Sequence, residues 1–266
     1  MLLTRILTAL VLIPLVVWAL LKLPPGGLAV LLGVVVALSA WEWAQFATRS
    51  QPLRAAYAVL LGVAVLALPL AGAPLAVAGV LLWLAMFGWL LAYPRGLRPG
   101  ITQAPMRLAL GAAILWLFAA AALALAAVDN GRVLVLLTLV LVWAMDVGGY
   151  FFGKRFGRRK LAPQVSPNKS WEGFAGGALL AAIVSLAGMP LLGLSGAGAL
   201  QFALLGTLVA MASVVGDLTE SMFKRQSGIK DSGALLPGHG GLLDRLDSTY
   251  AALPLMLAGW LLVPTP

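Results

Sequence analysis

Long apolar stretches, separated by short segments that carry charges, glycine and proline, occupy almost the whole chain. A helix needs about 20 residues, each rising about 1.5 Å, to cross a hydrocarbon core of about 30 Å. The pattern therefore predicts an all-α polytopic membrane protein with about nine transmembrane helices. A count of eight or ten stays open, because residues 60–93 are broken only by Pro69 and Pro74. The predicted spans are 6–21, 27–47, 55–70, 74–93, 108–128, 133–152, 173–191, 196–222 and 246–263.

Composition agrees with this interpretation. Of the 266 residues, 62% are hydrophobic and 10% are charged, whereas soluble domains carry about 25% charged residues. A soluble fold is excluded, because its surface would be too apolar. The chain has no cysteine and a single histidine, His239, which excludes disulfides, thiolate chemistry and a histidine-rich metal centre. Only Arg5 precedes the first span and no small-residue cleavage pattern follows it, so we expect a retained helix rather than a signal peptide.

The basic residues predict the orientation. With nine spans, sixteen of the 18 Lys and Arg residues fall on the face that holds the N-terminus, and only Lys22 and Arg132 fall on the other. Basic loops are retained in the cytoplasm. The N-terminus is therefore predicted to be cytoplasmic and the C-terminus to lie outside.

The acidic residues divide the chain into two parts. Residues 1–145 contain only Glu42 and Asp129, whereas residues 146–247 contain seven acids. We interpret residues 1–145 as a transmembrane scaffold and residues 146–266 as a catalytic transmembrane domain with cytoplasmic polar loops. The Trp41-Glu42-Trp43 sequence is interpreted as an interfacial aromatic anchor at a helix end.

The first polar segment begins at Asp146 and continues through a glycine-rich stretch to a basic run at 158–160. It resembles a P-loop only in part, because Arg155 stands where Ser or Thr is needed and an apolar span precedes it. An acid at a membrane helix costs free energy and is often functional. Asp146 is therefore either a site residue or a helix-end acid paired with Lys154 or Arg155.

The second polar segment, residues 166–173, reads SPNKSWEG. Ser166 and Ser170 are interpreted as helix-start residues, and Lys169 and Glu172 lie three apart where the chain enters the next span. Backbone N–H groups at a helix start, together with a lysine, form an anion site. The alternative is an ordinary capped helix with a lysine that extends to the interface.

The third segment, residues 217–225, combines two acids, a hydroxyl and two bases at the inner end of an apolar span. Spacings of three, four and seven residues place four of them along one helical face. These four residues are Asp217, Glu220, Ser221 and Lys224.

The fourth segment, residues 230–247, contains a glycine-rich loop around His239 and leads into a helix that carries Asp244 and Asp247. Glycines let backbone N–H groups approach a ligand closely. Carboxylates on neighbouring turns suit hard cations such as Mg²⁺. Together with Asp217, they can hold two ions for in-line phosphoryl or nucleotidyl transfer. The alternative is a surface pair of Asp244 with Arg245 and an acid favoured by the helix dipole.

Residues 221–247 read SMFKRQSGIKDSGALLPGHGGLLDRLD. This segment resembles the signature of the phosphatidate cytidylyltransferases (CDP-diacylglycerol synthases), which runs Ser-x-x-Lys-Arg, Lys-Asp and His-Gly-Gly-x-x-Asp-Arg-x-Asp. Residues 166–173, and Asp146-x-Gly-Gly-Tyr with Gly153-Lys154, resemble further motifs of that family, with a small departure at Val147. The resemblance covers residues 146–247 closely and the first 145 residues only in hydropathy.

The resemblance implies that CTP and phosphatidate react to CDP-diacylglycerol and pyrophosphate, in a multi-pass protein of the bacterial cytoplasmic (inner) membrane. It implies that Asp217, Asp244 and Asp247 hold Mg²⁺, with K⁺ as a second ion. By charge, the candidates for holding the two phosphate substrates are Lys169, Lys224, Arg225, Lys230 and Arg245. Further candidates for the substrate surface are Ser166, Ser170, Ser221, Gly240, Gly241, Asp146 and Glu172. No nucleic acid is expected as a partner, and a homodimer is suggested by the family alone.

The attacking lipid phosphate is already an anion, so the resemblance requires no strong general base. His239 is then either a contact to phosphate or leaving group, or a residue that shapes its loop. An ion-coupled transporter is the rival from another class, but it does not explain a glycine-rich loop with bases on one side of the membrane. The Asp-Gly-x-x-Ala-Arg pattern expected of a CDP-alcohol phosphatidyltransferase is absent from this sequence. A lipid kinase that uses CTP is not excluded by charge placement.

Overall fold

The computed structural model describes residues 2–67, 72–94, 103–233, 235 and 240–263, with side chains from residue 10 onward. Within these residues the chain forms nine α-helices, one for each predicted span. They are α1 (Leu2–Lys22), α2 (Pro25–Ala44), α3 (Gln51–Ala64), α4 (Gly72–Ala92), α5 (Ala104–Ala126), α6 (Gly131–Phe156), α7 (Trp171–Gly188), α8 (Gly196–Gln226) and α9 (Leu243–Trp260). Two 3₁₀ turns, Val65–Ala67 and Met189–Leu192, extend α3 and α7.

Six of these helices, namely α2 and α4 to α8, are long and apolar enough to cross a membrane, with α7 counted through its 3₁₀ turn. The multi-pass character predicted from hydropathy is therefore confirmed. Large apolar side chains such as Leu81, Leu91 and Leu204 are exposed on the outer faces of the helices. Such an apolar exterior is expected of a surface that meets lipid rather than water.

A two-stranded antiparallel hairpin interrupts the helices, so the prediction of an entirely α-helical chain was incomplete. Strands β1 (Lys160–Ala162) and β2 (Ser166–Ser170) pair with Lys160 opposite Ser170 and Ala162 opposite Ser166. Pro167 favours extended backbone in the residue before it. Ser166 therefore lies in a strand, and the prediction that it starts a helix was wrong. Ser170 does start one: its hydroxyl accepts a hydrogen bond from the backbone N–H of Gly173 at 3.1 Å.

Helix α9 lies inside the bundle, in contact with α4, α5 and α8. Tyr250, Leu253 and Leu257 are buried along it. The Tyr250 hydroxyl donates a hydrogen bond to the Ser39 hydroxyl of α2 at 2.7 Å. Helices of the first 145 residues thus surround a helix of the second part, and the division at residue 145 stays a prediction.

Helices α6 and α7 approach each other closely at glycine. A Cβ atom at Gly148 would lie 2.7 Å from the carbonyl oxygen of Gly176 and 2.8 Å from the Cα atom of Gly177. Small residues allow membrane helices to pack backbone against backbone. This contact lies two residues after Asp146, so it sets where that carboxylate stands relative to α7 and the hairpin before it.

Candidate active site

One group of charges gathers where the polar ends of α6, α8 and α9 meet the hairpin. Lys169 of β2 places its Nζ atom 2.6 Å from the Oδ2 atom of Asp217 in α8. Asp146 of α6 and Asp247 of α9 lie within electrostatic range of this ion pair. Three carboxylates therefore gather around the Lys169 ammonium, and Arg245 also lies within electrostatic range of Asp146.

The closeness of α8 to α9 at this level depends on Gly216. A methyl group at that position would overlap the backbone carbonyl oxygen of Asp247. Glycine therefore brings the helix that carries Asp217 against the helix that carries Asp247. Gly216 was not among the residues predicted for the site, although it directly precedes Asp217 in the sequence.

Lys169 lies in the hairpin, where burial is the largest single effect and lowers its pKa, while the charge and the hydrogen bond of Asp217 raise it. Asp146 and Asp247 add to the increase, so the pKa of Lys169 lies above its ordinary value. The ammonium is therefore charged at neutral pH. This ammonium offsets part of the negative charge of the carboxylates around it.

A second charge group lies one to two turns further along α8. The Nζ atom of Lys224 is 3.0 Å from Oε1 of Glu220 and 2.7 Å from Oδ1 of Asp244. Glu220 is buried. The hydroxyl of Ser221 donates a hydrogen bond to Oδ1 of Asp217 at 3.3 Å. Together with the contact between Lys224 and Glu220, this confirms the prediction that the four residues lie along one face of the helix.

The Asp244 carboxylate organises the loop that precedes α9. Its Oδ2 atom accepts hydrogen bonds from the backbone N–H groups of Ser232 and Gly241, each at 3.0 Å. Its other oxygen faces Lys224. Gly240, next to Gly241, has φ +86°, a conformation that side chains rarely adopt. Asp244 thus joins both flanks of the glycine-rich loop to α8.

Glu42 is a site residue that the sequence analysis missed. Only 1% of Glu42 and 2% of Trp43 is exposed, so the interpretation of these residues as an interfacial anchor was wrong. Oε2 of Glu42 accepts a hydrogen bond from the backbone N–H of Leu243 at 2.7 Å, at the first turn of α9. The side-chain amide of Gln45 also donates to the backbone carbonyl of Ser232. The available signal was a lone acid in an otherwise apolar span, which is costly unless it has a partner.

Asp146 and Glu172 have positions and contacts other than those that the sequence suggested most simply. Helix α6 continues to Phe156, so Asp146 is not at a helix end, and its electrostatic partners are Lys169 and Arg245 rather than Lys154 or Arg155. Glu172 is partly exposed and accepts hydrogen bonds from the backbone N–H groups of Arg158 at 3.0 Å and Arg159 at 3.2 Å. It therefore shapes the basic turn before the hairpin.

The remaining predicted residues lie around these two charge groups. Arg225 is exposed, and its Nε atom donates to the backbone carbonyl of Val165 in the hairpin at 3.3 Å. Lys230 and Arg245 are also exposed. His239 lies outside the described residues, so its two predicted roles stay open.

Comparison with known proteins shows which family the chain belongs to. A model described as "Cytidylyltransferase family" matches residues 3–262. A phosphatidate cytidylyltransferase of Pseudomonas aeruginosa is 47% identical over 98% of this chain and 99% of its own length. The chain belongs to the cytidylyltransferase family. The phosphatidate cytidylyltransferase of Haemophilus influenzae is 40% identical over 96% of each chain, and that of Staphylococcus saprophyticus is 45% identical over 48% of this chain and 49% of its own.

The carboxylates of the two charge groups are the candidates for a metal site. Within the described residues, no three histidine, aspartate or glutamate side chains converge closely enough to form one. Of the predicted ligands, Asp217 and Asp247 share one charge group with Asp146, whereas Asp244 is hydrogen-bonded to Lys224 and to the loop. The carboxylate oxygens of the first group are of the kind that suits a hard divalent cation. The ligand set itself stays a prediction.

Proposed function

We infer that this chain is a phosphatidate cytidylyltransferase, which transfers CMP from CTP to phosphatidate and yields CDP-diacylglycerol and pyrophosphate. The observation that carries this conclusion is the 47% identity over nearly the full length of both chains to an enzyme of that name. The arrangement of the site agrees with it. Two groups of cations and acids lie at the ends of apolar helices, where a lipid headgroup and a soluble nucleotide can both reach them.

The reaction forms one bond and breaks one. A phosphate oxygen of phosphatidate attacks the α-phosphorus of CTP, and the bond from that phosphorus to the bridging oxygen breaks as pyrophosphate leaves. Because both reactants are polyanions, their mutual repulsion is the main barrier that the protein must lower. Lys169, Lys224 and Arg225 supply positive charge from the hairpin and from α8. Asp217 and Asp244 orient the two lysines.

We propose Mg²⁺ as the cofactor, bound by Asp217 and Asp247 with Asp146 beside them. When bound, a divalent cation neutralises phosphate charge and positions the reacting groups. The three carboxylates that gather around Lys169 support this proposal, because carboxylate oxygens are ligands that Mg²⁺ prefers. Asp244 is then a residue that positions Lys224 and the glycine-rich loop. K⁺ as a second ion stays a prediction from the resemblance.

We further propose that the N-terminus is cytoplasmic, that all nine helices cross the bacterial inner membrane and that the C-terminus lies outside. The segregation of sixteen of 18 basic residues to one face supports this orientation. Both charge groups then face the cytoplasm, where CTP is available. The homodimer stays a prediction from the resemblance alone.

The test is an assay of purified protein in detergent with phosphatidate, Mg²⁺ and CTP labelled in the cytidine. The expected products are CDP-diacylglycerol and pyrophosphate. Release of CDP instead of pyrophosphate would indicate a lipid kinase. If no labelled lipid forms with any phosphatidate, the proposed function is wrong.

A further inference from the structure

A basic turn, residues 155–160, connects the polar end of α6 to the hairpin. It carries four exposed cations, namely Arg155, Arg158, Arg159 and Lys160. Residues 147–171 contain no acid, and none of these four cations forms a salt bridge within the described part of the chain. The turn therefore differs from the two charge groups of the site, in which each lysine is paired with carboxylates.

Hydrogen bonds hold the backbone of this turn in one shape. The Glu172 carboxylate accepts from the backbone N–H groups of Arg158 at 3.0 Å and Arg159 at 3.2 Å. The backbone N–H of Trp171 donates to the carbonyl of Arg159 at 2.9 Å, and Lys160 begins strand β1. The start of α7 and the hairpin thus fix the turn, while the side chains of its arginines stay exposed.

Exposed aromatic side chains lie on the last two turns of α6, next to the basic turn. Tyr150, Phe151 and Phe156 are each more than half exposed. The guanidinium carbon of Arg155 is 5.5 Å from the ring centroid of Phe156, and Nζ of Lys154 is 5.7 Å from that of Tyr150. Aromatic residues are enriched where a membrane meets water. They therefore place this end of α6 in the headgroup region and the basic turn at the level of the lipid phosphates.

We propose that the folded basic turn binds the phosphodiester headgroups of anionic bilayer lipids, at a surface separate from the catalytic charge groups. Guanidinium groups match phosphate oxygens with paired N–H donors, and basic clusters beside a membrane helix attract anionic lipids. The adjoining aromatic rings favour a lipid over a soluble anion, because a patch of exposed phenylalanine is unfavourable in water. A bound headgroup also holds the hairpin, and with it Lys169, at the membrane surface.

Native mass spectrometry of the full chain in a neutral detergent measures this binding. The probes are dioleoyl phosphatidylglycerol, which is anionic, and dioleoyl phosphatidylcholine, which has no net charge. We expect the wild type to bind phosphatidylglycerol more tightly, and Arg158→Gln to weaken that binding by about fivefold, the contribution of one basic residue near an anionic surface. Arg49→Gln is the matched control, because Arg49 is an exposed arginine between α2 and α3, outside the turn. Equal affinity for the two lipids, or an equal loss in Arg49→Gln, would overturn the proposal.

Two further measurements separate a folded lipid surface from its alternatives, and neither depends on turnover. Glu172→Ala removes the acceptor that fixes the turn but raises the net positive charge, so a folded turn predicts weaker binding of phosphatidylglycerol. Tighter binding in this variant would show attraction by net charge alone and overturn the proposal. Bound phosphatidylglycerol should also resist an excess of CTP at matched ionic strength. Its release by CTP would assign the turn to the nucleotide instead of the bilayer.

Discussion

The Oε2 atom of Glu42 accepts a hydrogen bond from the backbone N–H of Leu243 at 2.7 Å, across 201 residues of sequence. The first turn of a helix has N–H groups without partners inside the helix. A buried carboxylate from α2 therefore holds the start of α9, one residue before Asp244. Among the described residues its other oxygen has no hydrogen-bond partner, and it lies against Gly233 and Gly241 on the two flanks of the loop.

This relationship predicts different effects for two substitutions at Glu42. Glu42→Ala leaves a buried N–H without an acceptor, at a cost of about 1–3 kcal/mol, and loosens the loop that Asp244 organises. We expect a lower unfolding temperature and a lower kcat. Glu42→Gln keeps the shape and one acceptor oxygen, so it should retain most of both. The measurement is thermal unfolding in detergent together with kcat and KM for CTP. An alanine variant as stable and active as the wild type would show that the hydrogen bond has no such role.

Substitutions of the three predicted metal ligands should differ in their effect on the Mg²⁺ concentration that the enzyme requires. Chelation by EDTA should abolish activity and added Mg²⁺ should restore it. Asp217→Asn and Asp247→Asn should raise the Mg²⁺ concentration for half-maximal rate by at least about tenfold, since even the loss of an outer-shell partner weakens metal binding by about 10–100-fold. Asp244→Asn should reduce kcat to below about one tenth, a loss above about 1.4 kcal/mol, with an unchanged Mg²⁺ requirement. A shifted requirement in Asp244→Asn would instead place that residue in the metal site, as the sequence resemblance implies.

The ion pair between Lys169 and Asp217 should be measurable as an energetic coupling between the two residues in a double-mutant cycle. Lys169→Met removes a cation from the phosphate surface and leaves Asp217 beside other acids, so kcat/KM should fall strongly. The double variant with Asp217→Asn should lose less than the sum of the single losses, with a coupling of about 0.5–3 kcal/mol. Lys154→Met is the charge-matched control, since Lys154 lies over the ring of Tyr150 and pairs with no acid in the described structure. Simple additivity would show that the 2.6 Å contact is not maintained in the working enzyme.

Two adjacent glycines of α6 offer a matched test of helix packing. Gly148→Ala places a methyl group against the backbone of α7, and overpacking of this kind costs about 1–3 kcal/mol. At Gly149 the nearest atom to an added Cβ is the carbonyl oxygen of Gly173 at 3.8 Å, an ordinary contact. We therefore expect Gly148→Ala to lower both the unfolding temperature and the specific activity, because Asp146 is displaced with α6, and Gly149→Ala to change neither. Equal effects at the two positions would refute the close approach of α6 and α7.

Much of the architecture followed from the sequence because hydropathy is a local property. A helix in lipid must satisfy its own backbone, so each apolar stretch, such as 108–128, predicts its helix without knowledge of the others. The hairpin escaped this reasoning because its five-residue strand β2 is polar and has no helical period. The capping role of Ser170 was still legible, since an N-cap needs only the residues next to it.

The tertiary structure decided which charges meet. Sequence spacing placed Asp217 and Lys224 on one helical face, but it did not show that the first pairs with Lys169 of the hairpin and the second with Asp244. Glu42 is the clearest case, because its partner lies 201 residues away and the sequence favoured the more common role of an interfacial anchor. The sequence by itself determined the apolar helices, their acids and the family resemblance. Packing at Gly148 and Gly216 determined how the helices bring those acids together, because the approach of two backbones depends on both surfaces at once.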